Sequence, residues 1–217
     1  MNYDVAVGRE GLNIDPGMLH ERVSWHTTWR LDKYVGDFAA FMSAAMENVI
    51  GATQEQVEAA RAYFTRDWHE NQRPYETLAV DGNLLVTSGL NALMGLLGTA
   101  APAVVPFSNA NARLGCGNAN TAEAIGQTQL QGASTLLKAM NATYPIMGTV
   151  AVPLATITYQ ATFGSADANW TWLEIGTFNG AAMGGATIML NRKVPVGGLG
   201  TKASGASWTL TETITIS

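Results

Sequence analysis

A chain of 217 residues at 47 % hydrophobic content can bury one sizeable core or two small ones, which excludes disorder throughout. Its net charge of −5 is unevenly spread: residues 1–81 hold 7 Lys and Arg against 13 Asp and Glu, whereas residues 82–217 hold 5 against 4. Neither part carries the basic excess of a nucleic-acid footprint, and a single cysteine, Cys116, excludes an intrachain disulfide and the Cys-rich zinc patterns.

The opening "MNYDVAVGREGLNID" has no basic region followed by an apolar run, and the longest apolar stretches fall far short of a spanning helix. A soluble protein made in the cytoplasm, with no membrane partner, is expected. Asp15-Pro16 reads as an N-cap and first-turn pair ahead of a helix over "GMLHERVSWHTTWRLDKY". A second helix is expected over "DFAAFMSAAMENVIG", where Phe38, Phe41, Met42, Ala45, Met46, Val49 and Ile50 recur at helical spacing and Gly51 marks the stop. Thr53 and Gln56 form a capping box for a third, in which Val57, Ala60, Phe64 and Trp68 share a face, ending before Pro74. Helices of this total length make a core too small to stand alone. Their apolar stripes, Phe38, Phe41, Met42 and Met46 on one helix and Trp68 on the next, are therefore expected to dock on a partner.

Past Asp81 the pattern changes. "NLLVTSGLNALMGLLG" predicts one more helix, with Leu90, Leu93, Met94 and Leu97 at helical spacing. Strands then dominate: "ARLGCG", "TITYQATF" with eight residues of unbroken alternation, "ANWTWLEIGTFNG", "ATIMLNRKV" and the terminal "SWTLTETITIS". The expected fold is mainly β, an antiparallel β-sandwich or jelly-roll-like module over 82–217 with a leading helix, preceded by an acidic docking segment of two or three helices over 1–81. With nine charges in 136 residues, the second part must wet its surface with Thr, Ser, Asn, Gln and Gly or have it covered by other chains.

No catalytic constellation stands out. His20, His26 and His69, with Glu21 or Glu70, match no zinc spacing and read as surface or interface histidines. "GCGNAN" (115–120) has a Gly-x-Gly start without the third glycine of a dinucleotide site and reads as a strand running into a turn, as "NGAAMGGA" does. Cys116 has no histidine beyond residue 69 to activate it and reads as a buried or turn thiol. Asp167, Glu174 and Glu212 supply the acids that a glycosidase pair would need. Trp170 and Trp172 on one strand face could form a sugar-stacking platform, or serve core or inter-subunit packing.

The segments "LLVTSGLNALMGLL", "FSNANARLGCGNANTAEAIGQTQLQG", "ITYQATFGSADANWTWLEIGTFNG", "MLNRKV" and "LGTKASGASWTLTETITIS", taken in order, resemble a β-rich module of tailed-bacteriophage virion proteins, found in capsid-decorating, tail-fibre and minor structural components. The resemblance spans Asn83 to Ser217 and rests on Gly115, Gly117, Leu130, Glu174, Gly176, Asn191, Arg192, Gly200, Thr201, Lys202 and Trp208. It implies a scaffold and attachment role without catalysis, cofactor or metal, located in the virion and made in the host cytoplasm. Its partners would be other virion proteins, a major capsid or tail component, with a homo-oligomer expected and a trimer as one option. "GCGNAN" departs from the pattern by lacking an acidic residue in its turn, and Glu212 stands where a small or apolar residue belongs. The interaction residues expected on this reading are Phe38, Phe41, Met42, Met46, Trp68, Trp170, Trp172 and Glu212. The alternative is a carbohydrate-directed receptor-binding protein or glycan hydrolase using Asp167, Glu174 or Glu212 beside the two tryptophans. The last strand should turn Trp208, Leu210, Ile214 and Ile216 to the core and its Thr/Ser column outward. Glu212 is then open to solvent or a partner, or paired with a cation, Arg192 first.

Overall fold

The computed structural model describes residues 25–47, 49, 51–71, 73–98, 105–148, 155–180, 182–184 and 186–216. In chain order its elements are β1 (Trp25–Val35), α1 (Phe38–Met46), α2 (Gln54–Asn71), β2 (Glu76–Asp81), β3 (Leu84–Leu85), α3 (Thr87–Leu97), β4 (Ala112–Gly117), β5 (Thr135–Ala139), β6 (Ile146–Met147), β7 (Ala155–Phe163), β8 (Thr171–Trp172), β9 (Glu174–Asn179), β10 (Ile188–Lys193), β11 (Gly200–Thr201) and β12 (Ala206–Ile216). The fold is mainly β, with three antiparallel sheets and three helices among the described residues. One five-stranded sheet runs β2-β1-β12-β7-β6, a second runs β3-β10-β9-β4-β5, and β8 and β11 form a small pair.

The larger of two apolar clusters among the described residues draws on one face of each large sheet. Trp29, Leu31, Tyr159, Ala161, Phe163, Trp208, Leu210 and Ile214 from the first meet Ala112, Leu114, Cys116, Ile175 and Leu190 from the second. Trp172 sits among them, its ring edge-on to Phe163 at 4.6 Å and to Trp208 at 5.0 Å. Such pairs are favoured beyond the area they bury, because ring edges and faces carry opposite partial charge. The terminal strand β12 is central, paired along its length with β1 on one side and β7 on the other. Leu210 and Ile214 point to the core as expected, but Ile216 is exposed at the rim.

The segment before residue 82 corrects the sequence reading. The helix expected over 17–34 is, in its described part, the strand β1, with all eleven residues in register against β12 from Trp25↔Ile216 to Val35↔Ala206. Residues 15 to 24, including the Asp15-Pro16 cap, lie outside the described residues. The first described element is thus a strand. Thr27, Trp29 and Leu31 are buried while His26 and Arg30 are exposed, a period of two that pairing with distant residues enforces over a modest helical pattern. Beyond them Asp32, Lys33 and Tyr34 are buried as well. β2, also unforeseen, adds to the outer side of β1.

Both helices that follow form, although α1 ends at Met46, short of the expected stop at Gly51. The capping box is present: Gln56 N–H donates to Thr53 Oγ1 at 3.3 Å and Thr53 N–H to Gln56 Oε1 at 2.9 Å, and α2 ends at Asn71, before Pro74. Together α1 and α2 cover part of the sheet face turned away from the core. Ser207 Oγ accepts the Phe38 N–H at 2.8 Å, and Tyr34 packs its ring on Trp68 at 5.9 Å. Ser207 and Thr209 are fully buried as a result, so the hydroxyl column of β12 is only partly an outer surface.

The last helix, α3, begins later than expected because Leu84 and Leu85 pair with Arg192 and Asn191 as β3. It lies tight on β10: Val86 N–H donates to Leu190 O at 3.2 Å, Ser88 Oγ to Met189 O at 2.9 Å, and a Cβ at Gly89 would stand 2.1 Å from the Leu190 carbonyl oxygen. Backbone cannot yield as a side-chain tip does. Gly89→Ala is therefore expected to lower stability by about 1–3 kcal/mol despite the better helix propensity of alanine, measured as a shift in the urea midpoint. A neutral or stabilising result would contradict the close approach.

Candidate functional site

Of the three acids singled out in the sequence, Glu174 on β9 faces away from the core, whereas Glu212 on β12 of the first sheet meets the core side of the second sheet, and the switch between their partners is made by β10. Its pairing with β9 slips by one residue between Met189 and Asn191, a bulge that lets Leu190 and Asn191 both face the core and sends Arg192 to the far side. Strict alternation from Met189 would have put Arg192 inward, near Glu212. The expected Glu212–Arg192 pair does not form.

Arg192 pairs instead with Glu174. The guanidinium Nε and Nη2 both reach Glu174 Oε2 at 2.7 Å, with neither side chain exposed. The other Glu174 oxygen accepts the Gly132 N–H at 2.7 Å, and the Gln131 N–H bridges both oxygens at 3.0 Å. The remaining guanidinium donors hold the Thr121 carbonyl at 2.9 Å and Gln127 Oε1 at 3.0 Å. One ion pair thus staples loop 118–134 over the sheet, and Leu130 from that loop packs with Phe178, Met189 and Val86. Gly117 of "GCGNAN" serves this arrangement, since a Cβ there would stand 2.4 Å from Glu174 Oε1, whereas Gly115 admits the side chains of Leu137 and Phe178. The turn makes room for a carboxylate of its own chain.

Glu212 lies inside the core and is fully buried. Thr177 Oγ1 donates to its Oε2, and Oε1 accepts from Asn191 Nδ2 and from Asn83 Nδ2. Both amides are oriented by other bonds, since Asn191 Oδ1 accepts the Thr177 N–H and Asn83 Oδ1 accepts the Trp25 indole N–H. No cation is among these partners. The carboxyl is raised from 4.5 to about 7, because burial pushes it up by more than the three donors pull it back. The group is a polar tie between the two sheets, closed to solvent.

Of the other predicted interaction residues, Trp172 is fully buried in the core and Trp170 half-buried beside it, so they form no exposed sugar platform. Phe38 and Phe41 lie 5.6 and 5.1 Å from the ring of Trp68, which is itself buried. These stripes dock within the chain. Met42 and Met46 are half-buried on α1, Met42 beside a cleft of about 270 Å³ facing Arg61 and Met140.

His69 fastens α2 to the sheet. Its Nδ1 donates to the Thr65 carbonyl at 2.7 Å, which leaves Nε2 to accept from Thr209 Oγ1 at 2.9 Å. Thr162 Oγ1 then donates to Thr209, and Asn141 Nδ2 to Thr162. Burial lowers the His69 pKa, as a neutral ring in this chain of bonds requires. His26 pairs through β1 with Thr215, whereas His20, Glu21 and the Glu70 side chain lie outside the described residues. No group of three metal-ligating side chains occurs among the described residues. Cys116 is buried in β4, its thiol pushed well up by burial and then by Asp167. Asp167 pairs with Lys138 and accepts the Gly164 N–H.

The surface the sequence reading missed is on α3. Gly89 and Ala92 are buried against β10, while Leu90, Met94 and Leu97, at i, i+4 and i+7, are 45, 55 and 82 % exposed. The signal was present: leucines and a methionine occur on more than one side of the helix, and no charged residue occurs between Asp81 and Arg113. A helix with apolar residues on its outer side as well as its seated side has an outer side suited to being covered. At its C-terminal end Leu93 and Leu96 open into an apolar groove of about 380 Å³ at the mouth of the core, with Met147, Ile157, Ile214 and Ile216 on the far wall.

Compared with known families, with characterised proteins and with solved structures, the chain matches none.

Proposed function

We propose that this chain is a structural protein of a tailed-bacteriophage virion that docks on and stabilises a capsid or tail assembly through protein–protein contacts, without catalysis. The ordered segments from Asn83 to Ser217 supply the virion setting. The observation that carries the assembly role is the outward apolar stripe of α3, in a part of the chain with nine charges in 136 residues, because exposed contiguous apolar surface marks an interaction site. The two large sheets enclosing the larger apolar cluster are read as the layers of an antiparallel β-sandwich, the rigid body such a role requires.

The carbohydrate-directed reading has less support. Glu174 and Glu212 are fully buried and each bonded to its own set of partners, and Trp172 is core. On the assembly reading the chain copurifies with intact particles, is detected there by mass spectrometry and is placed on capsid or tail by electron microscopy. Absence from particles, or turnover of a glycan panel by the purified protein, would reject it.

A further inference from the structure

We infer that the exposed face of α3 is a self-association surface, on which a second copy of this chain packs its own α3 across a two-fold axis centred near Met94. This deepens the assembly reading above by naming the surface and the partner.

The first argument is charge. From Gly82 to Ala112 the chain has no ionisable side chain, and residues 82–217 sum to a net of +1. Two copies can bring these faces together without desolvating a charge and with little repulsion between them. A face with no charge also has none of the complementary groups by which a surface selects a foreign partner and rejects others.

The second argument is shape. An isologous contact needs a patch complementary to itself, and the stripe has that form: Leu90 four residues before Met94 and Leu97 three after it. Laid antiparallel, Met94 meets its own image near the axis, and Leu90 of each copy meets Leu97 of the other. The 3–4 spacing is that of packed helix pairs. Thr87 and Asn91, also exposed, flank the stripe with uncharged hydrogen-bonding groups.

The third argument is extent and rigidity. Eleven residues give a helix of only about 16 Å, short of the ~800 Å² per partner of a stable contact. The apolar strip continues at both ends. The carbonyl of Ile125, whose side chain is exposed, accepts the Thr87 N–H at 2.9 Å, and Leu96 leads into the groove lined by Met147 and Ile216. Gly89 and Ser88 hold the helix fast on β10, so the stripe is presented preformed.

The test uses the purified full chain in sedimentation equilibrium from about 1 to 100 µM, a range that brackets micromolar self-association. A concentration-dependent dimer is expected, with Met94→Glu and Leu97→Glu each weakening it at least a hundredfold while leaving the circular-dichroism spectrum of the folded chain unchanged, since both residues are exposed. Met94→Cys should yield a covalent dimer on oxidation, because Cys116 is buried, whereas Tyr63→Cys on the exposed face of α2 should not. A wild-type monomer throughout the range, undiminished association of the charged variants, or a dimer in which Met94→Cys does not cross-link overturns the inference. A monomer that is nevertheless found on particles removes only this inference. A dimer with these properties that is absent from particles removes only the virion reading.

Discussion

Arg192→Met is expected to lower the free energy of unfolding by about 3–5 kcal/mol, because it leaves the Glu174 carboxylate buried without its counter-charge. The size follows from the geometry. Neither side chain is exposed, and Glu174 Oε2 takes both the Nε and Nη2 donors at 2.7 Å, so no water can replace the lost guanidinium. Against a typical total of about 5–15 kcal/mol, such a loss brings the fold near its limit. The same substitution releases the Thr121 carbonyl and Gln127 side chain, so loop 118–134 should become protease-sensitive below the melting temperature. Glu174→Gln should cost a similar amount for the converse reason, a buried guanidinium without a carboxylate. In the double variant the two losses should fall well short of adding, as a double-mutant cycle would reveal. Wild-type urea midpoints in both single variants would show that the staple contributes nothing.

Raising the pH from 4.5 to 8 is expected to cost the protein about 3 kcal/mol through Glu212 alone. In the folded chain its carboxyl keeps its proton up to about 7, whereas unfolded it ionises near 4.5. Between those values the folded state binds the extra proton, so stability falls as pH rises, by about 1.4 kcal/mol for each unit of difference. The contribution is complete below 4.5 and gone above about 7. His69 works the other way: its lowered pKa makes stability fall as pH drops through the range of an ordinary histidine. The clean measurement is therefore the difference between wild type and Glu212→Gln. A glutamine amide can donate to Thr177 Oγ1 as the protonated acid would and can accept from Asn83 and Asn191 in the same places. The variant should match wild type at pH 4.5 and exceed it by about 3 kcal/mol at pH 8, or roughly 6–12 °C in melting temperature for a chain of this size. Equal stabilities at pH 8 would mean that Glu212 is ionised without penalty in its network.

Much of the β architecture was legible because its signal is local. The strands β7 and β12 announce themselves by period-two alternation in Thr, aromatic and β-branched residues, and β4, β9 and β10 by short runs set off by Gly and Asn clusters. The capping box of α2 lies within four residues of chain. β1 was misread for the opposite reason. "SWHTTWRLDKY" carries a weak helical pattern, and its strand state is decided by β12, some 180 residues away in sequence, together with β2. The short strands β2, β3, β5 and β6 were likewise assigned by their neighbours. Among the candidate site residues, sequence spacing found the stripes of α1 and α2 but not their partner, which is Trp68 and the sheet of the same chain.

What the sequence determined by itself is the class of surface: a charge-poor, Thr- and Gly-rich half with an apolar helix, and four carboxylates among its nine charges, Glu174 and Glu212 among them. Which way those two face was decided only in three dimensions. A one-residue bulge in β10 sends Arg192 outward to Glu174 and Asn191 inward to Glu212. Composition and alternation are properties of neighbouring residues, whereas side-chain facing in a bulged strand depends on the register that its paired strand imposes. The same holds for α3: its apolar character is written in the chain, but only its seat on β10, tight at Gly89, leaves Leu90, Met94 and Leu97 facing out.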